Sequence, residues 1–431
     1  MNYNDSVNYI HSLFKFGIRP DLFGMGALLS YLGNPEKDLK CVHIAGTNGK
    51  GSTSTAVSNI GIEAGYNVGL YTSPYVSEFL ERIQFNGKPI DKTLFAESVE
   101  KVKTAVEKLS ENGIAITEFE ALTATAFLCF KELGCDFVVL EVGLGGRYDA
   151  TNIISTPLVN VITSLSIDHS AILGDTVEKI AMEKCGTIKE NSTVITSVGQ
   201  PSGALEVIKA TSKDKNAFLI IPDENSIKMT KTDIFGTEFE YKNKKYFVSM
   251  MGYHQVKNMV CAIETAEVLK KNFDISESDI VNGISKTVLP ARVEVISKSP
   301  LVILDGGHNE DGAKAFYDAV SPILKTKRKV ITIAGMMADK AVEGSLKPLV
   351  SASDTFVAVT PENPRAMKAE ELSRIAEKYC DDVSSVSSVV DAVREASQNI
   401  EENDVLCVVG SLYLAGEVRG ELLRIFSKEK F

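Results

Sequence analysis

Short apolar runs alternate with longer segments of helical periodicity in the first half of the chain. The apolar runs are VHIAG, NVGLYT, DFVVLEV, VNVITS and TVITS, at 42–46, 67–72, 136–142, 159–164 and 193–197. Continuous apolar strands separated by helices are typical of a parallel sheet that is covered on both faces. The pattern therefore predicts an α/β domain with a mainly parallel sheet.

The alternation is interrupted at 217–250, where AFLIIPDE and TEFEYKNKKYFVSM predict a small antiparallel insertion. A second alternating series then follows, with the apolar runs LVILDGG, KVITIAG, TFVAVTP and VLCVVGS at 301–307, 329–335, 355–361 and 405–411. The polar connection SKSP separates the two series, so we divide the chain into a first domain at 1–296 and a second at 297–431. The second is predicted to be a smaller, Rossmann-like α/β domain.

Composition narrows the function classes. A chain of 431 residues is too long for one ordinary domain, and its net charge of −11 argues against a nucleic-acid partner. The 7 cysteines include no CxxC pair, which favours free thiols in a reducing compartment, and we expect a cytoplasmic protein. No apolar run approaches the roughly 18 residues that a spanning helix needs, so no membrane partner is expected. We expect a monomer.

The stretch HIAGTNGKGSTS, at 43–54, is the most informative segment. It places a glycine-rich turn and a lysine between an apolar strand and a helix-compatible segment, which is typical of a P-loop-type triphosphate site. Backbone N–H groups of Gly49, Lys50 and Gly51 can face phosphate oxygens, and the Lys50 ammonium can reach the outer phosphates. Ile44 replaces the first glycine of the usual motif, and Gly51 after the lysine leaves Ser52 or Thr53 to supply the hydroxyl nearest a metal.

A bound triphosphate needs a divalent cation, and hard cations prefer oxygen ligands. Glu141 closes an apolar strand before GLGGR, and Asp168 with His169 follow another strand, where parallel sheets bind ligands. Ser73 follows a third strand and offers a hydroxyl, and we expect the long segment from there to Ile90 to form an active-site loop. Lys184 lies on an amphipathic helical segment, where a lysine is ordinarily a solvated charge.

Eleven segments, in order, resemble folylpolyglutamate synthases, including the bifunctional bacterial form that is also a dihydrofolate synthase, within the Mur ligase superfamily. They are KFGIRP with YLGNP, GTNGKGS, TSPYVSEFLERI, TEFEALTATAF, EVGLGGRYDATN, SIDHSAILG, IAMEKCGTIK, GYHQVKNMVCA, PARVEVI, DGGHNEDG and GSLYLAGEVR. The resemblance runs almost end to end. It implies ATP and Mg²⁺ as cofactors.

The resemblance also implies roles for individual residues. The ATP phosphate loop matches Asn48, Gly49, Lys50, Gly51 and Ser52, and the magnesium ligands match Ser73, Glu141 and His169. Lys184 matches a lysine that is carbamylated in the family. Nucleotide contacts match Asn258, Arg292 and Asp305, and His308 matches the ATP and glutamate side of the second domain, where it is a candidate for placing the amine. Positions that hold glutamate match Arg82 and Ser411, and the segments lining the pterin site contain Phe119, Asp149 and Ala150.

The implied activity is ATP-dependent addition of L-glutamate to a folate, to dihydropteroate, or to both, through an acyl phosphate with release of ADP and phosphate. Three alternatives stay open at this point. The first is a Mur ligase acting on a cell-wall precursor, and the second is a P-loop switch or kinase. The third is a noncatalytic nucleotide-binding module, which would be expected to lack Lys50, Glu141 or His169.

Overall fold

A computed structural model describes residues 1–14, 21–338 and 342–427. The segment KFGIRP, at 15–20, lies outside the described residues. The strands are, in chain order, β1 Cys41–Ala45, β2 Val68–Tyr71, β3 Ile83–Phe85, β4 Lys88–Pro89, β5 Phe137–Glu141, β6 Val159–Ile162, β7 Thr193–Thr196, β8 Phe218–Ile220, β9 Ile227–Asp233, β10 Gly236–Tyr241, β11 Lys244–Val248, β12 Glu294–Lys298, β13 Leu301–Leu304, β14 Val330–Ala334, β15 Thr355–Val359, β16 Val383–Val386 and β17 Val405–Val409.

The α-helices are α1 Tyr3–Ser12, α2 Phe23–Tyr31, α3 Lys50–Glu63, α4 Lys92–Glu111, α5 Glu118–Glu132, α6 Ser170–Leu173, α7 Val177–Cys185, α8 Ser202–Asp214, α9 Tyr253–Leu269, α10 Glu277–Ser285, α11 Glu310–Leu324, α12 Val342–Val350, α13 Ala369–Ala376, α14 Val389–Asn399 and α15 Leu412–Phe426. Short 3-10 turns occur at Pro35–Asp38, Phe79–Arg82, Ala150–Ile153 and Glu224–Ser226.

The described chain divides into two compact units. The first comprises Met1–Pro74, Phe79–Ser226 and Lys257–Thr287, and the second comprises Tyr75–Glu78, Ile227–Val256 and Val288–Phe431. The structure thus groups 227–256 and 288–296 with the second unit, whereas the sequence placed both in the first domain. Met251 and the half-buried Ile234 belong to the apolar core of the second unit, which accounts for this grouping.

The first unit is built on an eight-stranded sheet with the order β4-β3-β2-β5-β1-β6-β7-β8. Within this sheet the neighbouring strands β2, β5, β1, β6, β7 and β8 pair in parallel. At one edge, β3 pairs antiparallel with β2, and β4 pairs antiparallel with β3. The central strands β1, β5 and β6 are buried along their whole length. The predicted parallel sheet is therefore confirmed.

The second unit contains a six-stranded sheet with the order β12-β13-β17-β14-β15-β16, in which only β12 runs antiparallel among the described strands. Apolar clusters lie on both faces of this sheet, one including Phe316, Leu346 and Phe356 and the other including Val393 and Leu422. The expected second α/β domain is confirmed. Strands β9, β10 and β11 form a separate antiparallel sheet.

Two expectations about local structure are wrong. The AFLIIPDE segment does not belong to the antiparallel insertion, because β8 extends the large sheet, where Leu219 pairs in parallel with Val194. The segment from Ser73 to Ile90 is not one long loop, since it contains a 3-10 turn and the hairpin of β3 and β4.

All 7 cysteines are free thiols, and six of them are buried while Cys135 is half-buried. Burial raises the pKa of Cys41, Cys129, Cys135, Cys185, Cys261 and Cys407 to about 12. Within the described part of the chain, no helix combines the length and apolarity required to cross a bilayer.

Candidate active site

The carboxyl ends of four adjacent strands in the first unit carry the groups that the sequence singled out. The strands β2, β5, β1 and β6 lie side by side and run in parallel. Glu141 pairs with Ile44, and Ala45 pairs with Ile162, so these strand ends are level with one another. The segments holding Ser73, Glu141, the glycine-rich loop and His169 therefore leave the sheet at one edge, where parallel sheets bind ligands.

Two glycines allow the loop between β1 and α3 to approach its neighbours closely. Gly46 has φ +155°, and a Cβ added there would overlap Oγ1 of Thr163. Gly49 has φ +86°, and its added Cβ would overlap Oδ1 of Asn258. The structure thus brings Asn258, a predicted nucleotide contact, against the phosphate-loop segment.

Hydrogen bonds to the segment after β6 fix the same loop. The N–H groups of Thr47 and Asn48 donate to the carbonyl oxygen of Ser164 at 2.9 and 3.1 Å. The Thr47 hydroxyl donates to the Ser166 carbonyl at 3.1 Å, and the Asn48 amide donates to the Ser166 hydroxyl at 3.3 Å. A loop held this way before a ligand arrives loses little conformational freedom on binding. The N–H groups of the first turn of α3 have no partner within the helix, as at any helix N-terminus.

Two lysines converge on one backbone oxygen of this loop. Nζ of Lys50 donates to the carbonyls of Gly46 and Thr47, each at 3.2 Å. Nζ of Lys184, which is 5% exposed, donates to the same Gly46 carbonyl at 2.8 Å. Burial, and secondarily the nearby Lys50 charge, lowers the pKa of Lys184 to about 7. Lys184 is therefore not a solvated surface charge, which is the ordinary state of a lysine on an amphipathic helix.

The structure separates the two hydroxyls that the sequence left as alternatives. The Thr53 hydroxyl donates to the backbone carbonyl of Asn258 at 3.3 Å, so it ties α3 to α9. Ser52 lies in the first turn of α3 and is buried. This arrangement favours Ser52 as the hydroxyl nearest the phosphates.

The predicted metal ligands occupy the same sheet edge. Oε2 of Glu141, a residue only 5% exposed, accepts a hydrogen bond from the backbone N–H of Ser73 at 3.1 Å. His169 stands at the start of α6 with φ +49°, and its N–H donates to Oδ1 of Asp168 at 2.7 Å. A carboxylate, a hydroxyl and an imidazole form a donor set that suits Mg²⁺, for which oxygen ligands dominate. The residues present therefore fit the implied cation.

Arg82 and Phe119 also lie together in the first unit. The guanidinium carbon of Arg82 is 5.9 Å from the ring centroids of both Phe79 and Phe119. Its Nε is buried and has no hydrogen-bond partner among the described residues. A Cβ on Gly143 would be 2.6 Å from the Phe119 ring, so the GLGGR glycines leave room for this aromatic side chain.

Asp149 organises the loop that follows β5. Its carboxylate accepts from the N–H groups of Gly143, Leu144 and Thr151, each at 3.0 Å, and from the Thr151 hydroxyl at 2.5 Å. Burial raises the pKa of Asp149, and these hydrogen bonds oppose that rise. The neighbouring Ala150 is buried. The Asp149 hydrogen bonds hold the backbone of this loop in place, and a pterin-lining role for either residue stays a prediction.

In the second unit, Asp305 follows β13 and fixes two turns. Oδ2 accepts from the N–H of Val293 at 2.9 Å and Oδ1 from the N–H of Gly307 at 2.7 Å. Burial raises its pKa, and the Arg292 charge opposes that rise. A Cβ on Gly306 would be 3.1 Å from Nη1 of Arg292, so the guanidinium lies close to this turn.

His308 and Ser411 are the remaining predicted residues of the second unit. The His308 ring approaches the Gly306 carbonyl at 3.4 Å through Nδ1. Ser411 is buried and caps α15, because its hydroxyl accepts from the N–H of Leu414 at 3.1 Å. The structure thus places His308 beside the Asp305 turn and Ser411 at a helix N-terminus.

Sequence reasoning missed two supporting residues of the first unit. Gln200 accepts from the N–H of Leu165 at 3.0 Å and donates to the Thr163 carbonyl at 2.9 Å, which fixes the segment that holds the phosphate-loop residues. His43 contacts the Thr151 hydroxyl at 2.8 Å, and burial lowers its pKa to about 3. Gln200 follows β7, so the strand-end rule that selected Glu141 could also have selected it. No sequence pattern near His43 predicts its contact with Thr151.

Most of the chain matches two known protein domain families. Residues 44–266 match the Mur ligase middle domain, and residues 291–412 match the glutamate ligase domain of Mur ligases. The chain belongs to the Mur ligase family. This Mur ligase is 36% identical to the dihydrofolate synthase/folylpolyglutamate synthase of Bacillus subtilis, over 97% of the chain and 99% of that relative. It is 33% identical to the folylpolyglutamate synthase of Lacticaseibacillus casei, over 98% of the chain and 99% of that protein.

A solved structure of E. coli FolC in complex with DHPP and ADP has the same fold. The TM-score is 0.85 and the identity 28%, with 98% of each chain covered. The similarity to these relatives shows that this Mur ligase belongs to the folylpolyglutamate and dihydrofolate synthases, which are ATP-dependent ligases. The alternatives of a cell-wall ligase, a P-loop switch and a noncatalytic module are thereby disfavoured.

Proposed function

We propose that this Mur ligase adds L-glutamate to the free carboxylate of a pterin acceptor, either dihydropteroate or a folate that already carries glutamate, at the expense of ATP. The observation that carries the proposal is the convergence of Lys50, Lys184 and the glycine-rich loop on one sheet edge with Glu141. It is supported by the full-length similarity to the bifunctional Bacillus subtilis enzyme.

Amide formation from a free carboxylate is unfavourable in water, so the carboxylate must first gain a better leaving group. In the proposed first step a carboxylate oxygen bonds to the γ-phosphorus of ATP, the bond to the bridging oxygen breaks, and ADP leaves. Lys50 and the first-turn N–H groups of α3 would hold phosphate oxygens and offset the transferring charge. The product of this step is an acyl phosphate.

In the second step the amine of L-glutamate forms the C–N bond and phosphate leaves from the tetrahedral intermediate. The amine must lose a proton before it attacks the acyl carbon. His308 is our candidate for the residue that positions this amine. Arg82 and Ser411 are the proposed glutamate contacts. Phe119, with Asp149 and Ala150, is proposed to line the pterin site. Asn258, Arg292 and Asp305 are proposed to contact the nucleotide.

Ser73, Glu141 and His169 would hold Mg²⁺, which would supply positive charge to offset that of the triphosphate. Lys184 is proposed to react with carbon dioxide, forming an N–C bond with loss of one proton. The product is a carbamate anion where an ammonium would otherwise stand. A neutral amine is needed for that reaction, and the lowered pKa of Lys184 supports it. A cytoplasmic location and a monomeric state stay predictions.

The decisive test measures ADP and phosphate release with ATP, L-glutamate and one acceptor at a time. The acceptors are dihydropteroate, tetrahydrofolate and a cell-wall nucleotide precursor. Release that requires both glutamate and a pterin acceptor supports the proposal, and the acceptor that works shows which activity is present. Release with the cell-wall precursor alone, or with ATP alone, contradicts it. Lys50→Met is the control, because it removes the ammonium while keeping the length of the side chain.

A further inference from the structure

The turn that carries Arg292 has an unusual backbone. Ala291 has φ +54° and Val293 has φ +48°, so non-glycine residues on both sides of Arg292 adopt the left-handed conformation. A β-branched residue such as Val293 rarely does so. Both residues are buried, at 0% and 4% exposure, so solvent does not stabilise the turn. The surrounding contacts must hold this conformation in place.

Three backbone groups of the turn are tied to neighbours within the second unit. The N–H of Val293 donates to Oδ2 of Asp305 at 2.9 Å, and the Ala291 carbonyl accepts from the N–H of Gly306 at 2.9 Å. The N–H of Ala291 donates to Oε2 of Glu294 at 2.8 Å. Asp305 and Gly306 belong to the candidate active site, whereas Glu294 lies outside it.

Glu294 is itself held by an arginine of α15. Nε of Arg419 donates to Oε1 and Oε2 of Glu294 at 3.1 and 3.0 Å, and Nη2 donates to Oε1 at 2.7 Å. The side chains are 14% and 23% exposed for Glu294 and Arg419, so the pair is largely shielded from water. A two-pronged arginine–carboxylate contact restricts the orientation of the carboxylate as well as its distance.

We propose that Glu294 and Arg419 form a clamp that positions Arg292 for the nucleotide. The clamp fixes the carboxylate that holds the Ala291 N–H, and this keeps the strained turn in the one conformation that directs the Arg292 guanidinium toward Gly306. Glu294 and Arg419 are positioning residues, since neither is placed on the substrate. The inference rests on the proposed nucleotide contact of Arg292.

The clamp is tested with Arg419→Met, which keeps most of the side-chain length but removes the guanidinium. We expect the KM for ATP to rise at least tenfold while the KM values for acceptor and glutamate, and kcat, stay within twofold of the wild type. The matched control is Arg424→Met on the same helix, because Arg424 also makes a two-pronged contact, with both bonds to Glu421 at 2.7 Å, but that contact lies within α15. This control is expected to leave every kinetic constant unchanged.

A rescue variant separates positioning from a general loss of stability. In the Arg419→Met background, Ala291→Gly removes the side chain that disfavours a positive φ, so we expect it to recover part of the ATP affinity. Equal rises in all three KM values, together with a lower melting temperature and no rescue, would overturn the clamp. An unchanged KM for ATP in Arg419→Met overturns it as well, provided that Arg292→Ala raises that KM.

Hydrogen exchange of the peptide spanning 288–296 distinguishes this inference from the proposed function. We expect Arg419→Met to speed exchange there, whether or not the enzyme is active, and Arg424→Met to have no effect. If Arg292→Ala leaves the KM for ATP unchanged, the proposed nucleotide contact is wrong, although faster exchange would still support the clamp on the turn. Unchanged exchange in Arg419→Met rejects the clamp itself.

Discussion

At the scale of single residues, Lys50 and Lys184 donate to the same carbonyl oxygen, beside a loop suited to phosphate. Two ammonium groups on one acceptor repel each other, and Lys184 is also removed from water. Both effects favour its neutral form and lower its pKa to about 7, burial being the larger cause. The family resemblance selected Lys184, but its Gly46 partner is 138 positions away and no local pattern predicts the contact.

The proposed carbamate should depend on pH with a definite sign. With ¹³C-labelled carbonate, we expect a carbamate carbon signal to grow as the pH rises through about 7 and to be absent in Lys184→Met. Lys179→Met on α7 is the matched control, because Lys179 is exposed and forms a surface ion pair with Asp175 at 2.7 Å. A signal of equal size in Lys184→Met would contradict the assignment.

Stability without carbonate provides a second measurement of the same group. The folded-state pKa is below the ordinary value of 10.5, so the unfolded chain binds more protons between these two values. The cost of burying the charge is therefore complete below about pH 7 and disappears as the pH rises toward 10.5. We expect the free energy of unfolding of the wild type, relative to Lys184→Met, to increase across that interval in denaturant titrations.

At the scale of elements, buried strands were predictable and exposed edge strands were not. The runs that became β1, β5 and β6 are mainly apolar, with one polar residue each, and all three are fully buried. The edge strand β4 is wholly exposed and β16 is half polar, so neither carries an apolar signal. Glu141 and His169 were found because each follows an apolar strand, and the same rule extends to Gln200 after β7. The approach of Thr163 to Gly46 is a contact that only the folded sheet creates.

The approach of the phosphate loop to β6 leads to a prediction for Gly46→Ala. The new Cβ would overlap Oγ1 of Thr163, which follows β6, so the loop must move away from Ser164. We expect the KM for ATP to rise by about tenfold or more, equivalent to about 1.4 kcal/mol of binding free energy. Isothermal titration with a nonhydrolysable ATP analogue measures the same loss.

Gly113→Ala is the control for this substitution. Gly113 also has a positive φ, +76°, but nothing lies within 4 Å of an added Cβ. It should reduce stability through backbone strain and leave ATP binding unchanged. If both variants bind the analogue as tightly as the wild type, close packing of Gly46 has no part in nucleotide binding.

At the scale of the whole molecule, two α/β units share a chain whose net charge is −11, while the proposed substrates are all anions. The net negative charge of the protein therefore repels these substrates, and positively charged or N–H groups within the site must offset that repulsion. The division of the chain into two α/β units was predictable from the two series of apolar runs. The grouping of 227–256 with the second unit was not, because it depends on packing between segments that are distant in sequence.

Removal of Mg²⁺ should distinguish nucleotide binding that depends on the proposed metal site from nucleotide binding that does not. We expect magnesium with a nonhydrolysable ATP analogue, at about 100 times its Kd, to stabilise the fold by about 2.7 kcal/mol and to raise the melting temperature by several degrees. Excess chelator should abolish most of that increase in a thermal denaturation assay. Glu141→Gln should resemble chelation, since it removes the proposed anionic ligand. An equal increase with chelator present would contradict a metal site at this edge.

The seven unpaired cysteines have a practical consequence for following this enzyme in solution. Six of the thiols have a pKa near 12, so they hold their protons at neutral pH and react slowly with maleimide or iodoacetamide dyes. A cysteine introduced at an exposed site on each unit would therefore label selectively while the native thiols stay in place. Fluorescence energy transfer between two such dyes would then show whether the distance between them changes during turnover.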